Sequence, residues 1–269
     1  MARRKKQRLG QHFLEPVWSK RVVDILHPKA DDVILEIGAG AGSLTRELAK
    51  SGANITAIEI DPRLAEQLTR DLPSNVRILN CDFLKLNLDK IFKCDDQPVR
   101  IAGNLPYSVS TQILRRLLLL SAHGTRIRDG GLMCQKEVAK RVAASPGTKD
   151  WGPLGVTVRL NADPKEVLTL PRGAFRPMPE VQSSLVSLRF CQPPVEISNT
   201  AIFTRLVNTL FNQRRKTAAN ALEPLVPEIT KISTQDVFEQ AGVNPRLRPE
   251  KLKLAELADL SEVLAHSAS

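Results

Sequence analysis

Short β-branched apolar runs alternate with amphipathic stretches along the first two thirds of the chain. The runs at 33–37, 55–60, 76–79 and 99–102 are four to six residues long, which predicts strands buried on both faces. Helical spacing follows at 43–50, and 110–120 is a strongly apolar helix. Residues 130–135 read as a fifth strand feeding a charged helix at 136–144. This alternation predicts an α/β fold with a doubly wound, mostly parallel sheet. Pro146, Gly147, Gly152 and Pro153 predict a loop over 145–154, and 156–160, 166–170 and 185–190 read as late strands. Pro193 and Pro194 mark a linker, beyond which 202–211 is apolar at helical spacing. The organisation expected is a nucleotide-type domain at 1–192 and a small all-α domain at 195–269.

Two of the predicted strands end in motifs that carry chemistry. After the first come Gly38, Gly40 and Gly42, a strand, tight turn and helix that read as a nucleotide fold. A dinucleotide fingerprint needs glycine at position 43, where this chain has Ser43; the G-x-G-x-G spacing suits S-adenosylmethionine, which has no phosphates but needs close backbone approach. Glu59 ends the second run, where such folds place the carboxylate that grips ribose hydroxyls, and Asp82 follows the third, positioned to accept from an adenine amino group. After the run at 99–102 stand Asn104, Leu105, Pro106 and Tyr107. An adenine or cytosine amine is a poor nucleophile because its lone pair is delocalised into the ring. An asparagine oxygen and the next carbonyl can accept both of its protons and hold the lone pair toward an electrophile, proline stiffens the turn, and tyrosine offers a stacking face. Phe175, in a proline-rich loop at 171–184, is a candidate second stacking surface, against the plainer reading that it plugs a hydrophobic pocket.

Composition fits a nucleic-acid partner without selecting one. The 269 residues carry 39 Lys and Arg against 29 Asp and Glu, a net charge of +10. Residues 196–269 hold 9 of each sign, so the excess lies before them, partly in an arm with Arg3, Arg4, Lys5, Lys6 and Arg8 suited to lying along phosphates. Arg214, Arg215 and Lys216, just after the helix at 202–211, are further candidate phosphate contacts. The four cysteines are separated by 13, 40 and 57 residues and the four histidines are scattered, so no metal site is expected. With no apolar stretch of eighteen residues and no signal peptide, a soluble, cytoplasmic protein without membrane contact is expected, taken as a monomer.

In the motifs at 11–14, 36–42, Glu59, Asp82, 104–107, 175–181 and 211–217, the chain resembles the ribosomal RNA small-subunit adenine N6-dimethyltransferases, the KsgA-like enzymes. The resemblance implies methyl transfer from S-adenosylmethionine to N6 of two adjacent adenines in a hairpin near the 3′ end of small-subunit rRNA, two methyls on each, linked to small-subunit biogenesis. It implies that His12, Leu14, Gly38, Gly40, Glu59, Asp82 and Asn104 line the cofactor site. Asn104 and the Leu105 carbonyl hold the amine, and Tyr107 and Phe175 stack the base. Three other readings remain: a resistance-type methyltransferase of large-subunit rRNA, a ribosome-assembly factor with secondary methylation, and a nucleic-acid-binding regulator with a vestigial cofactor fold.

Overall fold

The computed structural model describes residues 12–87 and 97–268; the basic arm from Arg3 to Arg8 and Cys94 lie outside them. The chain divides into two compact units, one of residues up to Lys140 together with Asn161–Cys191, the other of Arg141–Leu160 together with residues from Gln192 onward. The second unit therefore includes the stretch from Arg141, which the sequence reading placed in the first domain.

The first unit opens with β1 (Phe13–Leu14) and α1 (Pro16–Leu26), which Pro16 starts at a position where its missing N–H costs nothing. A sheet follows, built from β2 (Val33–Ile37), α2 (Ser43–Ala49), β3 (Asn54–Glu59), α3 (Pro62–Asp71), β4 (Val76–Asn80), β5 (Val99–Asn104), α4 (Ser110–Ala122) and β6 (Ile127–Gln135). After α5 (Lys136–Ala143) and α6 (Pro153–Asn161) come β7 (Ala162–Leu170), β8 (Phe175–Arg176) and β9 (Ser183–Phe190). The seven strands run in the order β4-β3-β2-β5-β6-β9-β7, parallel from β4 to β6, with β9 antiparallel to both β6 and β7. From β2 the chain winds outward through β3 to β4, then returns to β5 on the other side of β2. That reversal leaves a crevice at the carboxyl ends of β2 and β5, the place where open α/β sheets hold ligands. A separate two-stranded ribbon pairs β1 with β8, Phe13 opposite Arg176 and Leu14 opposite Phe175.

The strand expected at 156–160 is instead part of helix α6. Its valines made it read as β, but Pro153 opens a helical turn, and Val156 is fully buried in the apolar core of the second unit with Leu160 packed against it. That core also gathers α7 (Thr200–Asn212), α8 (Ala218–Leu222), α9 (Thr234–Gln240) and α10 (Leu254–His266) around Trp151, whose indole N–H donates to the Leu252 carbonyl at 3.0 Å.

Candidate active site

The crevice is a cavity of about 210 Å³, whereas a second cavity in the first unit measures about 10 Å³. Its floor is the turn after β2. The Gly38 and Ala39 amides both donate to the Ile58 carbonyl, at 2.9 and 3.0 Å, which folds the turn toward β3. Gly40 has φ +57°, and a Cβ there would lie 3.1 Å from the Phe13 ring, so a side chain would be strained and would crowd the cavity wall.

Glu59, at the end of β3, is almost wholly buried, yet both carboxylate oxygens are held: Oε2 accepts the Gly40 amide at 2.7 Å and Oε1 the Asp61 amide at 2.9 Å. Two charge-assisted backbone bonds fix its orientation, and each oxygen keeps a lone pair for a ligand hydroxyl. Asp82, beyond β4, caps the 3-10 turn Phe83–Lys85 by accepting the Leu84 amide at 2.9 Å, and it also lines the cavity. The cap and a ligand contact are compatible because they use different lone pairs. Ile60, 51% exposed, and Phe83 form apolar walls beside it.

Gly103 lets the end of β5 approach β2, since a Cβ there would meet the Ile37 carbonyl at 2.7 Å. Asn104, Leu105, Pro106 and Tyr107 then turn across the mouth of the cavity and all line it. The turn is held from below by the Leu105 amide, which donates to the Met133 carbonyl at 3.0 Å. The Asn104 amide group donates through Nδ2 to the His12 carbonyl at 2.7 Å. Tyr107 is fixed by a 2.6 Å hydrogen bond between its hydroxyl and the Ser183 hydroxyl, and the His12 ring stacks on it with centroids 5.3 Å apart and planes inclined by 29°. Burial pushes the Tyr107 phenol above its ordinary pKa, against the pull of Ser183, so it stays neutral. Behind this front, Glu36 in β2 is buried with Oε2 unpartnered; burial raises its pKa to about 7, with the Thr45 hydroxyl opposing and Glu59 adding to the rise.

The profile of the family described as "Ribosomal RNA adenine dimethylase" matches residues 2–266. Ribosomal RNA small subunit methyltransferase A of Pseudomonas aeruginosa is 37% identical over 266 residues, spanning 97% of this chain and 95% of that protein. The protein of the same name from Geobacillus kaustophilus is 38% identical over 269 residues, spanning 97% and 91%. This chain belongs to the ribosomal RNA adenine dimethylase family. The dimethyladenosine transferase of Plasmodium falciparum superposes with a TM-score of 0.76 at 22% identity, over 93% of this chain and 96% of that one. The 23S rRNA methyltransferase ErmE superposes at 0.67 and 24% identity, over 94% and 99%. Both likenesses speak for the fold.

This dimethylase is an S-adenosylmethionine-dependent enzyme, and its cavity suits that cofactor. The glycine turn leaves bare backbone, Glu59 presents preoriented carboxylate lone pairs, Asp82 adds an acceptor, and Ile60 and Phe83 give an adenine ring apolar faces. Two expected site residues of the dimethylase point elsewhere. The Leu14 side chain is buried in the core with Phe175, its partner across the ribbon, whereas His12 and Phe13 line the cavity. Phe175 is fully buried in the same core, so its ring presents no face to a base; it is the hydrophobic plug. In the second unit, Arg214 is engaged with Glu250 at 3.5 Å and the Lys149 carbonyl at 2.8 Å, whereas Arg215 and Lys216 in the same turn are exposed. Phe13 entered the sequence reading only as part of the motif at 11–14, and Ile60 only as the end of a predicted strand; an apolar residue directly after Glu59 was the available signal for the second. Among the described residues no cluster of metal-ligating side chains occurs, and no helix is long and apolar enough to cross a membrane.

Proposed function

We propose that this dimethylase modifies small-subunit rRNA, methylating N6 of two adjacent adenines in a hairpin near its 3′ end, twice each, during small-subunit biogenesis in the cytoplasm. The observation that carries the reading is the Asn104 amide. Its NH₂ faces a carbonyl, so its Oδ1 is turned away with its lone pairs available as acceptors at the cavity mouth. The shared name of the curated relatives supports the choice of subunit.

In this reading Oδ1 and the Leu105 carbonyl accept the two N–H bonds of the adenine amine, drawing its lone pair out of conjugation and aiming it into the cavity. S-adenosylmethionine, when bound, supplies an electrophilic methyl group. Glu59 and Asp82 hold its ribose and adenine ends, and the rate gain comes mainly from alignment. Tyr107 supplies the stacking face for a base drawn out of its stack. Because Phe175 is buried, that face works without a phenylalanine opposite it. The methylated amine gives up a proton to water, so after the first transfer one N–H remains and the amine is held for the second by one acceptor fewer. Arg3, Arg4, Lys5 and Lys6, with Arg215 and Lys216, contact phosphate, and Arg214 holds the turn that displays the last two. The enzyme acts as a monomer, without membrane contact.

The test is transfer of labelled methyl to unmethylated small subunits, with large subunits and the Asn104→Ala enzyme in parallel. Dimethyladenosine on small subunits alone, absent with the variant, supports the reading. Label on large subunits would move the target to the other rRNA, and particle binding without label would leave assembly as the main activity.

A further inference from the structure

We propose that His12 is a positioning residue for the methyl-transfer step, through its main-chain carbonyl, which sets the orientation of the Asn104 amide. The inference rests on the reading of Asn104 as the acceptor for the adenine amine.

An asparagine amide has two ends of nearly equal size and opposite hydrogen-bonding character, and rotating its terminal torsion by half a turn exchanges them. Only one orientation serves here. With Oδ1 toward the substrate the side chain accepts an N–H; with Nδ2 there, donor would face donor and the amine would be repelled. Within the turn at 104–107 nothing distinguishes the two ends. The His12 carbonyl does, because it can only accept, and at 2.7 Å it takes the NH₂ end.

The carbonyl is itself held in place. The His12 ring lies against Tyr107, and its Nδ1 is 2.7 Å from the Pro177 carbonyl, an acceptor that places the proton on Nδ1. One residue further on, β1 is paired to β8 with Phe13 opposite Arg176, and the Glu15 amide donates to the Ala174 carbonyl at 2.9 Å. Residue 12 is thus fixed by contacts to two separate segments, the stretch ending at Pro177 and the turn at 104–107, and the second of these carries the catalytic amide. Lining the cofactor cavity, the part that the family resemblance implied for His12, does not require this arrangement.

Replacing the amide between His12 and Phe13 with an ester tests the inference, because an ester carbonyl is a weaker acceptor and all side chains are retained. The protein is made by ligating a synthetic N-terminal peptide to the remainder of the full chain. A control ester between Leu14 and Glu15 removes one ribbon N–H, that of Glu15, and leaves the His12 carbonyl intact. The expected result is a kcat about tenfold lower for the first ester, with the KM for S-adenosylmethionine within about threefold, and a kcat within about twofold of normal for the control. Equal losses in the two esters, or a normal kcat in the first, would overturn the inference. Asn104→Ala separates the two layers of argument. If that variant still transfers methyl, the reading of Asn104 fails and the positioning role falls with it. If it is inactive while the first ester is normal, the positioning role alone fails.

Discussion

The two ends of the central strands make opposite use of the same backbone. At their amino ends, Asp32, just before β2, accepts from Arg100 of β5 at 2.7 Å and from Arg128 of β6 at 2.8 Å, while Asp129 accepts from both arginines. Arg100 also donates to the Leu26 and His27 carbonyls, closing the last turn of α1. Each of these four charges has a partner of opposite sign. At the carboxyl ends of the same strands, the glycine turn, Glu59 and Asn104 surround a cavity with acceptors left over. Locking the strands at one end permits polar groups with unused bonding capacity at the other, where a ligand completes them. Substitutions at the two ends should therefore separate activity from stability.

The largest effect expected is on activity. Asn104→Ala removes one of the two acceptors for the amine and should lower kcat roughly 10³-fold, the scale seen when a positioned polar group is removed from a transition state. The melting temperature should stay within about 2 °C, because the side chain is only partly buried and its one bond is worth about 1 kcal/mol. A melting temperature that falls with the rate would show the two ends to be coupled.

Arg100→Ala tests the other end. It leaves Asp32 buried with one arginine in place of two, at a cost of about 3–5 kcal/mol, or roughly 10 °C in melting temperature. Binding of S-adenosylmethionine, measured by calorimetry at a temperature where the variant is folded, should change less than about twofold. The acid limb of stability should change as well. Burial raises the Asp32 pKa, but the Lys29 amide and the two arginines more than offset it, so the folded value lies below the ordinary one. The stability this contributes is present above the unfolded pKa and lost as pH falls through the folded one, and without Arg100 that loss should be smaller.

Much of this division was legible in the sequence. Short β-branched runs ending in glycine, glutamate, aspartate and asparagine required a parallel sheet, and a parallel sheet brings all its carboxyl ends to one edge. What was not legible depended on pairing between distant segments. Leu14 and Phe175 face the core because β1 and β8 pair with each other, two residues in each strand, too short to leave a periodic pattern. The valines of α6 gave it strand composition, but it became helical with Val156 packed in the same core as Trp151, a tertiary override of local preference. Arg214 looked equivalent to Arg215 and Lys216 until Glu250 was brought beside it. The His12 contact to Asn104 uses a main-chain carbonyl, which no side-chain pattern can announce.

Glu36 lies between the two ends and should show a smaller, pH-dependent effect. Its folded pKa of about 7 stands above the ordinary value of 4.5, so the folded state disfavours the ionised form. Relative to a neutral side chain, stability is intact below about pH 4.5 and falls as pH rises toward 7, by about 3 kcal/mol in total. Glu36→Gln cannot ionise. The difference in unfolding free energy between the variant and the natural protein should grow in the variant's favour by about that amount between pH 4.5 and pH 8. A difference independent of pH would mean that Glu36 has the same pKa in the folded and unfolded states.

The smallest effect concerns the stacking face. Tyr107→Phe keeps the ring and its contact with His12 but leaves the Ser183 hydroxyl, fully buried, without the partner it has at 2.6 Å. The cost should be about 1 kcal/mol in stability, with kcat only a fewfold lower, because the ring still presents its face while holding its position less firmly. Tyr107→Ala removes the face itself and should raise the KM for rRNA while S-adenosylmethionine binding is kept. Since Tyr107 is the sole tyrosine in the chain, 3-fluorotyrosine gives one ¹⁹F resonance that reports this ring alone. If the ring stacks the target base, that resonance shifts on addition of substrate rRNA and not on addition of cofactor alone. A shift with cofactor alone would assign the ring to the floor of the site, where it supports the chemistry without touching the base.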